Sequence, residues 1–303
     1  MVEASVGLLH PGQMGASVGR ALVAGGSQVF WSSRGRSAES RQRATDAGFE
    51  DAGDLPGLAG RVARVVTVCP PAAAGEVARR VLEAGFRGIY VDANAVAPET
   101  AARLARKVEA EGCEFVDGGI IGPPAHRPGS TRLYLSGARA PEVAEAFAGT
   151  NLDARVIDGG AGAASALKMA YAAWTKGSAA LLLAARTLAH GAGVESSLLE
   201  EWRLSQPHLE AQSEGTARGV SPKAWRFAGE MEEIAATFAA AGLPAGFHLA
   251  AAEVYERLAG FRTGEPADAA AAAAALLAPR ASPESHSEAA TLTSSTKKPT
   301  VST

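Results

Sequence analysis

The chain changes its periodicity near residue 160, and this change constrains the fold more than any other feature. Before that point, short β-branched runs alternate with helical segments of roughly ten to fifteen residues. The strands are predicted at 4–9, 28–31, 64–68, 88–92, 114–116, 132–136 and 154–157, and the helices at 13–24, 38–47, 72–84, 98–110 and 141–148. Such alternation predicts βαβ crossovers and a mostly parallel sheet with helices on its faces. From about residue 163 to residue 278 nearly every segment is helical, so we expect an α/β domain followed by an all-α domain.

The glycine-rich segment 159–162 marks the expected boundary between these two domains. We assign residues 1–160 to the α/β domain and residues 161–279 to the α-helical domain, with a long helix from about residue 163 joining them. Residues 280–303 contain no aromatic side chain and are dominated by Ser and Thr. A segment of this kind buries too little apolar surface to offset its ordering entropy, so we predict a disordered tail.

The composition argues against several classes of protein. The 29 Lys and Arg residues against 32 Asp and Glu residues give a net charge of −3, with no basic stripe for a nucleic acid. Two cysteines, Cys69 and Cys113, are too few for a disulfide framework or a zinc site, and the histidines show no metal-ligand spacing. The sequence has no secretion-signal pattern, and charged residues interrupt its longest apolar stretches. We therefore expect a cytoplasmic protein, without a metal or a membrane span, that acts on a small molecule.

The first predicted strand runs into the sequence GLLHPGQMG at residues 7–15, and a helix follows. Gly12 and Gly15 occupy the second and third positions of the glycine fingerprint of Rossmann-type dinucleotide-binding domains. The second glycine lets the backbone approach a pyrophosphate, the third lets helix and strand pack closely, and the helix N-terminus offers free N–H groups. His10 stands where the first glycine is usual, and it is either a phosphate contact or a turn residue. The motif predicts a dinucleotide-binding domain over residues 1–160.

The end of the second predicted strand indicates which dinucleotide is bound. Ser33, Arg34 and Arg36 lie there in the run SSRGRS, and no acidic residue occurs before Glu39. NAD-selective domains place Asp or Glu at this strand end to bind the ribose 2′-hydroxyl. A hydroxyl group followed by arginines suits a 2′-phosphate instead, because guanidinium groups form bidentate, charge-assisted bonds to phosphate. The sequence therefore favours NADP(H) over NAD(H).

Five sequence features occur in a characteristic order: GLLHPGQMG, SSRGRS, VTVCPPAA, VDANAVAP and the long helix that carries Lys168. Over about residues 5–260 they resemble the β-hydroxyacid dehydrogenase superfamily, the relatives of 6-phosphogluconate dehydrogenase. The LLHPG start and the KMAYAAWTKG helix resemble a divergent branch, known mostly as uncharacterised NAD(P)-dependent oxidoreductases. The resemblance implies a Rossmann-type domain, a helical domain, a substrate in the cleft between them, and a homodimer formed through the helical domain.

The resemblance also implies which residues bind the cofactor. Gly12, Gln13, Met14 and Gly15 would hold the pyrophosphate, Ser33 with Arg34 and Arg36 the 2′-phosphate, Cys69 and Pro70 would line the cofactor, and Asn94 would lie near the nicotinamide ribose. At Asn94 most relatives carry Ser or Thr.

The segment DGGIIGP at residues 117–123 takes the place of the family's substrate loop, usually D-A-P-V-S-G-G. Ile121 stands where the family has its substrate-binding serine, and Gly122 follows it. We assign both residues to the substrate site. The loss of the serine favours a less polar substrate than a simple hydroxyacid.

Lys168 matches the family's catalytic lysine. A lysine in a partly dehydrated cleft has a lowered pKa and can exchange a proton with a substrate oxygen. The asparagine that the family carries one turn later is absent, and Tyr171 and Thr175, on the same helix face, are candidates to replace its polar contacts in the substrate site. For Tyr171 and Trp174, a place in the core or in a dimer interface is as compatible with the sequence as a substrate role.

These features predict an NADPH-dependent oxidoreductase that transfers hydride between nicotinamide and a small carbonyl or hydroxy compound, with Lys168 as general acid or base. One alternative is an imine reductase on the same scaffold, favoured by Tyr171 and the apolar loop. Imine reductases commonly place Asp or Tyr where Lys168 stands, which weighs against this alternative. A second alternative, a non-catalytic NADPH-binding protein, is consistent with the missing serine and asparagine.

Overall fold

The computed structural model describes residues 5–279 of the protein, and the tail predicted to be disordered, 280–303, lies outside this range. The α/β half forms one sheet of eight strands. In chain order these are β1 (Ser5–Leu9), β2 (Gln28–Trp31), β3 (Glu50–Asp51), β4 (Arg64–Thr67), β5 (Ile89–Asp92), β6 (Glu114–Ile121), β7 (Thr131–Ser136) and β8 (Leu152–Val156). They lie in the spatial order β3-β2-β1-β4-β5-β6-β7-β8, and every neighbouring pair is parallel except β6 with β7.

Within residues 5–279, six α-helices accompany the strands, and six more follow the last strand. The first six are α1 (Gln13–Ala24), α2 (Ala38–Asp46), α3 (Leu55–Ala59), α4 (Ala74–Glu83), α5 (Pro98–Ala110) and α6 (Ala140–Glu145). The others are α7 (Ala163–Gly191), α8 (Glu195–Ser205), α9 (Leu209–Val220), α10 (Ala224–Ala240), α11 (Gly246–Arg257) and α12 (Ala269–Leu277). Side-chain caps set some of their starts: Ser37 Oγ accepts from the Ser40 N–H before α2, and Asp54 Oδ1 accepts from the Gly57 N–H before α3.

Both faces of the sheet are covered by helices, as its apolar strands require. On one face, Val91 and its neighbours pack in a cluster with residues of α1, α2 and α6. On the other face, Tyr90 packs with residues of α3, α4 and α5, and its ring stacks on Phe115 at a centroid distance of 6.2 Å. The prediction of a mostly parallel, helix-covered sheet followed by a helical domain is confirmed.

The buried side chain of Asp117 joins β6 to the start of α7. Its Oδ2 accepts hydrogen bonds from the backbone N–H groups of Gly162 and Ser165, both at 2.9 Å, and its Oδ1 accepts from Ser165 Oγ at 2.6 Å. The first turn of a helix has N–H groups without intrahelical acceptors, and Gly162 at the N-cap has no side chain to bind them. Asp117 therefore caps α7 from the sheet and determines where this helix begins.

The helical half has its own core, in which Met169 of α7 packs with Met231 of α10 and Tyr255 of α11. The Tyr255 hydroxyl donates to a backbone carbonyl of α7, that of Lys176, at 2.8 Å. This half also contacts the sheet domain, because the Ala97 N–H before α5 donates to Glu233 Oε2 of α10 at 2.6 Å. The long helix α7 and the N-terminus of α5 are thus held against the same helical bundle.

The structure corrects two expectations about the strands. β6 continues to Ile121, so residues 117–121, expected in a loop, are strand. The extension is stable because β7 pairs antiparallel with it from Asp117 to Ile121 and binds its backbone groups. The short strand β3 and the helix α3 were not predicted, since neither carries a periodic apolar pattern. The expected domain boundary at residues 160 and 161 falls between β8 and α7 and stays a prediction.

We expect Asp117→Ala to destabilise the protein strongly, because it leaves the buried N–H groups of Gly162 and Ser165 without acceptors. The free energy of unfolding should fall by on the order of 3 kcal/mol, as measured by urea denaturation. Asp153→Ala is the matched control, since Asp153 forms a surface ion pair with Arg155. This control should change stability by less than about 0.5 kcal/mol, and equal losses in the two variants would contradict the capping role.

Candidate functional site

The turn between β1 and α1 has an unusual backbone. His10 has a φ of +67°, in the left-handed region that L side chains rarely adopt, and among the described residues it is the one non-glycine residue with a positive φ. Its carbonyl oxygen accepts a hydrogen bond from the Gly12 N–H at 2.7 Å. The turn therefore retains the shape of a glycine fingerprint although its first glycine is absent.

Different physical reasons explain why glycine stands at positions 12 and 15 of the turn. Gly12 has a φ of −69°, which any residue can adopt, and a Cβ added there would meet no atom within 4 Å. A Cβ added at Gly15 would lie 2.3 Å from the carbonyl oxygen of His10. Internal packing thus requires glycine at position 15 but not at position 12, where the space in front of α1 stays open. Gln13 is exposed and Met14 half-buried at this helix start, and the turn fits the pyrophosphate of a dinucleotide.

The three residues predicted to bind a 2′-phosphate are separated in the structure. Ser33 is buried, and the Arg34 guanidinium faces solvent, where it pairs with Asp54 at 3.2 Å. Arg36 turns inward instead, and its Nη2 lies 3.0 Å from Nε2 of His10. Only Arg36 of the predicted set is therefore brought directly against the fingerprint turn.

An acidic residue that the sequence pattern did not reveal lies beside Ser33. Asp51 ends β3, next to the end of β2, and its Oδ1 accepts from the Gly53 N–H at 2.7 Å. Burial favours the neutral carboxyl, but hydrogen bonds from Ser33 and Gly53 outweigh it and lower the pKa of Asp51. The site thus holds an acid as well as arginines. The position of Asp51 at a strand end was hard to predict from the sequence because β3 is only two residues long.

The ends of β4 and β5 are joined by a buried polar cluster. Asn94 Oδ1 accepts from the Cys69 N–H at 2.5 Å, and its Nδ2 donates to Thr67 Oγ1 at 3.2 Å and to Asp92. Burial, reinforced by the nearby Asp117 and opposed by hydrogen bonds from Thr67 and Asn94, raises the pKa of Asp92 to about 7. The carbonyl oxygen and the amino group of the Asn94 side chain thus connect the ends of β4 and β5. The expected contact of Asn94 with a nicotinamide ribose stays a prediction.

Cys69 and Pro70 follow β4 at the same edge of the sheet. Cys69 is half-buried and Pro70 is exposed. Burial, together with Asp92, raises the pKa of the Cys69 thiol to about 12, so this thiol is not a nucleophile at neutral pH. Both residues lie near the glycine turn, because β4 pairs with β1 through Leu9 and Thr67.

Two glycines decide how β6 meets its neighbours. A Cβ added at Gly119 would lie 2.7 Å from the Ala164 carbonyl oxygen and 3.0 Å from Cβ of Lys168. Glycine at position 119 thus lets α7 pass close to the strand and brings Lys168 against it. Gly122 has a φ of +121°, and a Cβ there would lie 2.3 Å from the Ser130 carbonyl oxygen, so this turn requires glycine. Ile121 is buried, and its expected contact with substrate stays a prediction.

The ammonium group of Lys168 has an unusual environment. Within residues 5–279 it makes no hydrogen bond or ion pair, and its charged neighbours are Lys176, Glu230 and Arg226. Burial, aided by the positive charges of Lys176 and Arg226 and opposed by Glu230, lowers the pKa of Lys168 to about 8. A lysine with this pKa and without a partner is available to exchange a proton with a ligand near neutral pH.

The charges around Lys168 are arranged by a neighbouring ion pair that is largely buried. Lys176 Nζ contacts Glu230 Oε2, and the two side chains are only 14% and 15% exposed. The Lys176 ammonium also lies 4.5 Å from the centre of the Phe227 ring. Glu230 is thereby committed to Lys176 and leaves Lys168 unpaired. Glu230 carried no signal in the sequence, because it lies 62 positions beyond Lys168 on a different helix.

Tyr171 and Thr175, predicted to replace polar family contacts, are both exposed on α7. The Thr175 hydroxyl donates to the Tyr171 carbonyl oxygen at 3.1 Å, which is a bond within the helix. The Tyr171 side chain is 45% exposed and Trp174 is 75% exposed, so neither belongs to the core of the described chain. The exposure of Tyr171 and Trp174 is compatible with a place in an interface or with a contact to substrate.

Between residues 5 and 279, no helix combines the length and apolarity needed to cross a membrane. The same residues contain no group of three or more His, Cys, Asp and Glu side chains that could hold a metal ion.

Comparison with known proteins identifies two regions of the chain. Residues 5–147 match the family described as the NAD binding domain of 6-phosphogluconate dehydrogenase. Residues 189–258 match a domain of unknown function (DUF1932). A curated relative from Methanothermus fervidus, described as an uncharacterized 28.5 kDa protein, is 31% identical over 169 residues, which cover 55% of this chain and 64% of the relative. The chain thus spans slightly less than two thirds of that relative's length.

Solved structures share the whole architecture. A conserved protein of unknown function, described as structurally similar to 3-hydroxyacid dehydrogenases, is 27% identical with a TM-score of 0.63, covering 85% of this chain and 98% of that one. The 3-hydroxyisobutyrate dehydrogenase of Mycobacterium tuberculosis with L-serine is 20% identical with a TM-score of 0.66, covering 91% and 99%. A reductive aminase from Aspergillus terreus with NADPH and ethyl levulinate is 18% identical with a TM-score of 0.54, covering 90% and 98%. In the last two cases the likeness concerns the fold.

We expect Gly12→Ala to change dinucleotide binding and Gly15→Ala to change the stability of the fold. Gly12→Ala should leave thermal stability nearly unchanged but weaken dinucleotide binding at least about tenfold, because its Cβ enters the open space before α1. Gly15→Ala should lower the free energy of unfolding by about 1–3 kcal/mol, because its Cβ meets the His10 carbonyl. Differential scanning fluorimetry and a fluorescence titration with NADPH separate the two. Unchanged NADPH affinity in Gly12→Ala would place the dinucleotide elsewhere.

Proposed function

Because residues 5–147 of this chain match the NAD binding domain of 6-phosphogluconate dehydrogenase, we propose that the protein is an NADPH-dependent oxidoreductase. It transfers hydride between nicotinamide and a small carbonyl or hydroxy compound. The observation that carries this proposal is Lys168, a half-buried lysine without a partner among the described residues, held against β6 by Gly119 and beside the edge of the sheet where the glycine turn lies. The expected cytoplasmic location and the expected lack of nucleic-acid binding stay predictions.

Lys168 acts as the general acid or base of the reaction. When bound, the nicotinamide supplies or accepts the hydride at the substrate carbon. In the direction of reduction, the Lys168 ammonium donates its proton to the substrate oxygen and stabilises the negative charge that develops there. In the direction of oxidation, the neutral amine takes the hydroxyl proton. The pKa of about 8 suits both directions, since each form is populated near neutral pH.

The preference for NADPH rests on Arg36. Its guanidinium reaches the fingerprint turn, whereas Arg34 is engaged with Asp54 at the surface. Asp51 weighs on the other side, because an acid at this edge of the sheet can bind a ribose 2′-hydroxyl. However, Asp51 already accepts hydrogen bonds from Gly53 and Ser33, so it is less available to a ribose than Arg36 is to a phosphate. The balance of these contacts favours NADPH.

We expect Lys168→Ala to lower kcat by about 10²–10⁴-fold while leaving NADPH affinity nearly unchanged. In the wild type, reduction should slow as the pH rises above about 8 and the ammonium is lost, whereas oxidation should slow as the pH falls below about 8. This inflection should be absent in the variant. Lys107→Ala, on α5, is the control.

The assay uses NADPH consumption on a panel of β-keto acids, simple ketones and cyclic imines, with Lys168→Ala tested on each compound that the wild type reduces. Turnover on imines alone would indicate the imine reductase alternative. Tight NADPH binding without turnover on any compound would indicate a non-catalytic binding protein. Wild-type turnover in Lys168→Ala would end the proposed role of this lysine.

The protein forms a homodimer through its helical half. Among the described residues, every large exposed hydrophobic side chain except Val23 and Val156 lies between residues 161 and 279. Those on α7 form one stripe with a helical spacing: Leu167, Tyr171, Trp174, Leu181 and Leu188. A second copy of this chain suits such a stripe, because the same surface on both subunits is self-complementary about a two-fold axis.

We expect the double substitution Trp174→Glu and Leu188→Glu to convert the dimer into a monomer, because it places charges in the stripe, where these residues are 75% and 73% exposed. Analytical ultracentrifugation at about micromolar concentration should show the mass halve while the far-UV circular dichroism stays unchanged. Val23→Glu, an exposed position on α1 outside the helical half, should remain dimeric. A wild type that sediments as a monomer would contradict the proposed interface.

A further inference from the structure

The segment between β5 and α5, residues 93–97, is held by both halves of the chain. Val96 is buried in the core of the sheet half, whereas Ala95 packs against the core of the helical half. Asn94 lies in the same segment, and its Oδ1 accepts from the Cys69 N–H after β4. These few residues therefore join the polar cluster at the ends of β4 and β5 to the helical bundle.

The end of this segment depends on an acceptor from another part of the chain. Ala97 is 5% exposed, its side chain cannot cap α5, and the next residue, Pro98, has no N–H group. The Ala97 N–H donates to Glu233 Oε2 of α10 at 2.6 Å. Because a buried N–H group without an acceptor is costly, this hydrogen bond fixes the segment to α10.

One face of α10 carries two carboxylates that reach different parts of the chain. Glu230 and Glu233 are three residues apart and are thus neighbours on the helix surface. Glu230 contacts Lys176 of α7, and Glu233 binds the segment before α5. Met231, which lies between them in sequence, packs with Met169 of α7. α10 therefore connects α7 to the segment that carries the amide group of the polar cluster.

α10 lies at the carboxyl edge of the sheet. It passes next to the 3-10 helix Pro71–Ala73, which follows β4, and it binds the segment that follows β5. Ligands of open α/β sheets bind in the crevice outside the carboxyl ends of the strands. We expect the nicotinamide ribose beside Asn94 and the pyrophosphate at the glycine turn after β1. In this arrangement α10 borders the nicotinamide half of the cofactor rather than its adenosine half.

We propose that Glu233 is a positioning residue of the reaction. By binding the Ala97 N–H, it holds the segment with Asn94 and the helix with Lys168 in one fixed arrangement. Hydride transfer requires this, because a displacement of the reacting groups by about 1 Å can lower the rate on the order of 100-fold. The inference rests on the proposed function and goes beyond it, since it assigns a role to a residue 136 positions from its partner.

The test compares two substitutions of Glu233 in the full chain. Glu233→Gln retains an oxygen that can accept the Ala97 N–H, whereas Glu233→Ala removes it. Glu233→Ala should lower kcat at least about tenfold and NADPH affinity at least about fivefold. Its affinity for 2′,5′-ADP, which lacks the nicotinamide half, should change less than about twofold. Glu233→Gln should stay within about threefold of the wild type in all three quantities.

Two control variants separate positioning from a general loss of stability. Glu232→Ala changes the exposed neighbour on α10 and should leave kcat and both affinities unchanged. Asp268→Ala removes the side-chain cap of α12, where Asp268 Oδ1 accepts from the Ala271 N–H at 2.8 Å. It should lower the melting temperature without lowering kcat, because this cap lies outside the segment before α5.

Hydrogen exchange at the Ala97 amide measures the contact without any turnover. This amide should exchange at least about tenfold faster in Glu233→Ala than in the wild type, and Glu233→Gln should restore its protection. Faster exchange with unchanged kcat and NADPH affinity would make Glu233 a structural cap only and overturn the proposal. An equal loss of kcat in Asp268→Ala would overturn it as well.

Failure of the proposed function would give a different result. A wild type that binds NADPH but reduces no compound would contradict hydride transfer, and with it the role of Glu233 in a reaction. In that case the comparison of NADPH with 2′,5′-ADP still shows whether Glu233 holds the nicotinamide half. Equal changes in the affinities for both ligands, or none in either, would contradict even this.

Discussion

The capping of α7 by the buried side chain of Asp117 is the interaction on which the rest of the structure depends. The carboxyl oxygens of one strand residue bind the N–H groups at the start of a helix of 29 residues. Without these hydrogen bonds, packing contacts alone would fix the position of the start of this long helix. Because Gly119 lies two residues further along the same strand, the cap also determines which part of α7 passes close to β6. The position of Lys168 consequently depends on the sheet as well as on the helical bundle.

The two halves of the chain contribute different physical properties to the proposed site. The sheet half provides open backbone at Gly12 and the guanidinium of Arg36 beside His10. The helical half provides the Lys176–Glu230 pair, which excludes an acidic partner from Lys168 while keeping positive charge near it. A lysine beside a free carboxylate would instead be held protonated. Lys168 is therefore available for proton exchange because Glu230 pairs with the neighbouring Lys176.

The sequence patterns predicted the elements well and the side-chain directions less well. The bounds of α1, β2 and α5 follow from local signals, namely a glycine turn, a β-branched run and a proline at the first helical turn. The roles of Arg34 and Arg36 could not be separated in this way, since both lie in one irregular loop. Likewise, the segment 117–121 matched a loop by resemblance, but pairing with β7 made it a strand.

By itself, the sequence determined most of the strands and helices, the position of the glycine turn, the change to an all-helical second half and the similarity of residues 5–147 to the NAD binding domain of 6-phosphogluconate dehydrogenase. These properties depend on residues that are close together along the chain. Only the tertiary structure decided that Asp117 caps α7, that Glu230 pairs with Lys176, and that Arg36 contacts His10. Each of these contacts joins residues that are distant along the chain. The electrostatic energy of such a contact depends on burial and on neighbouring charges, which no local pattern records.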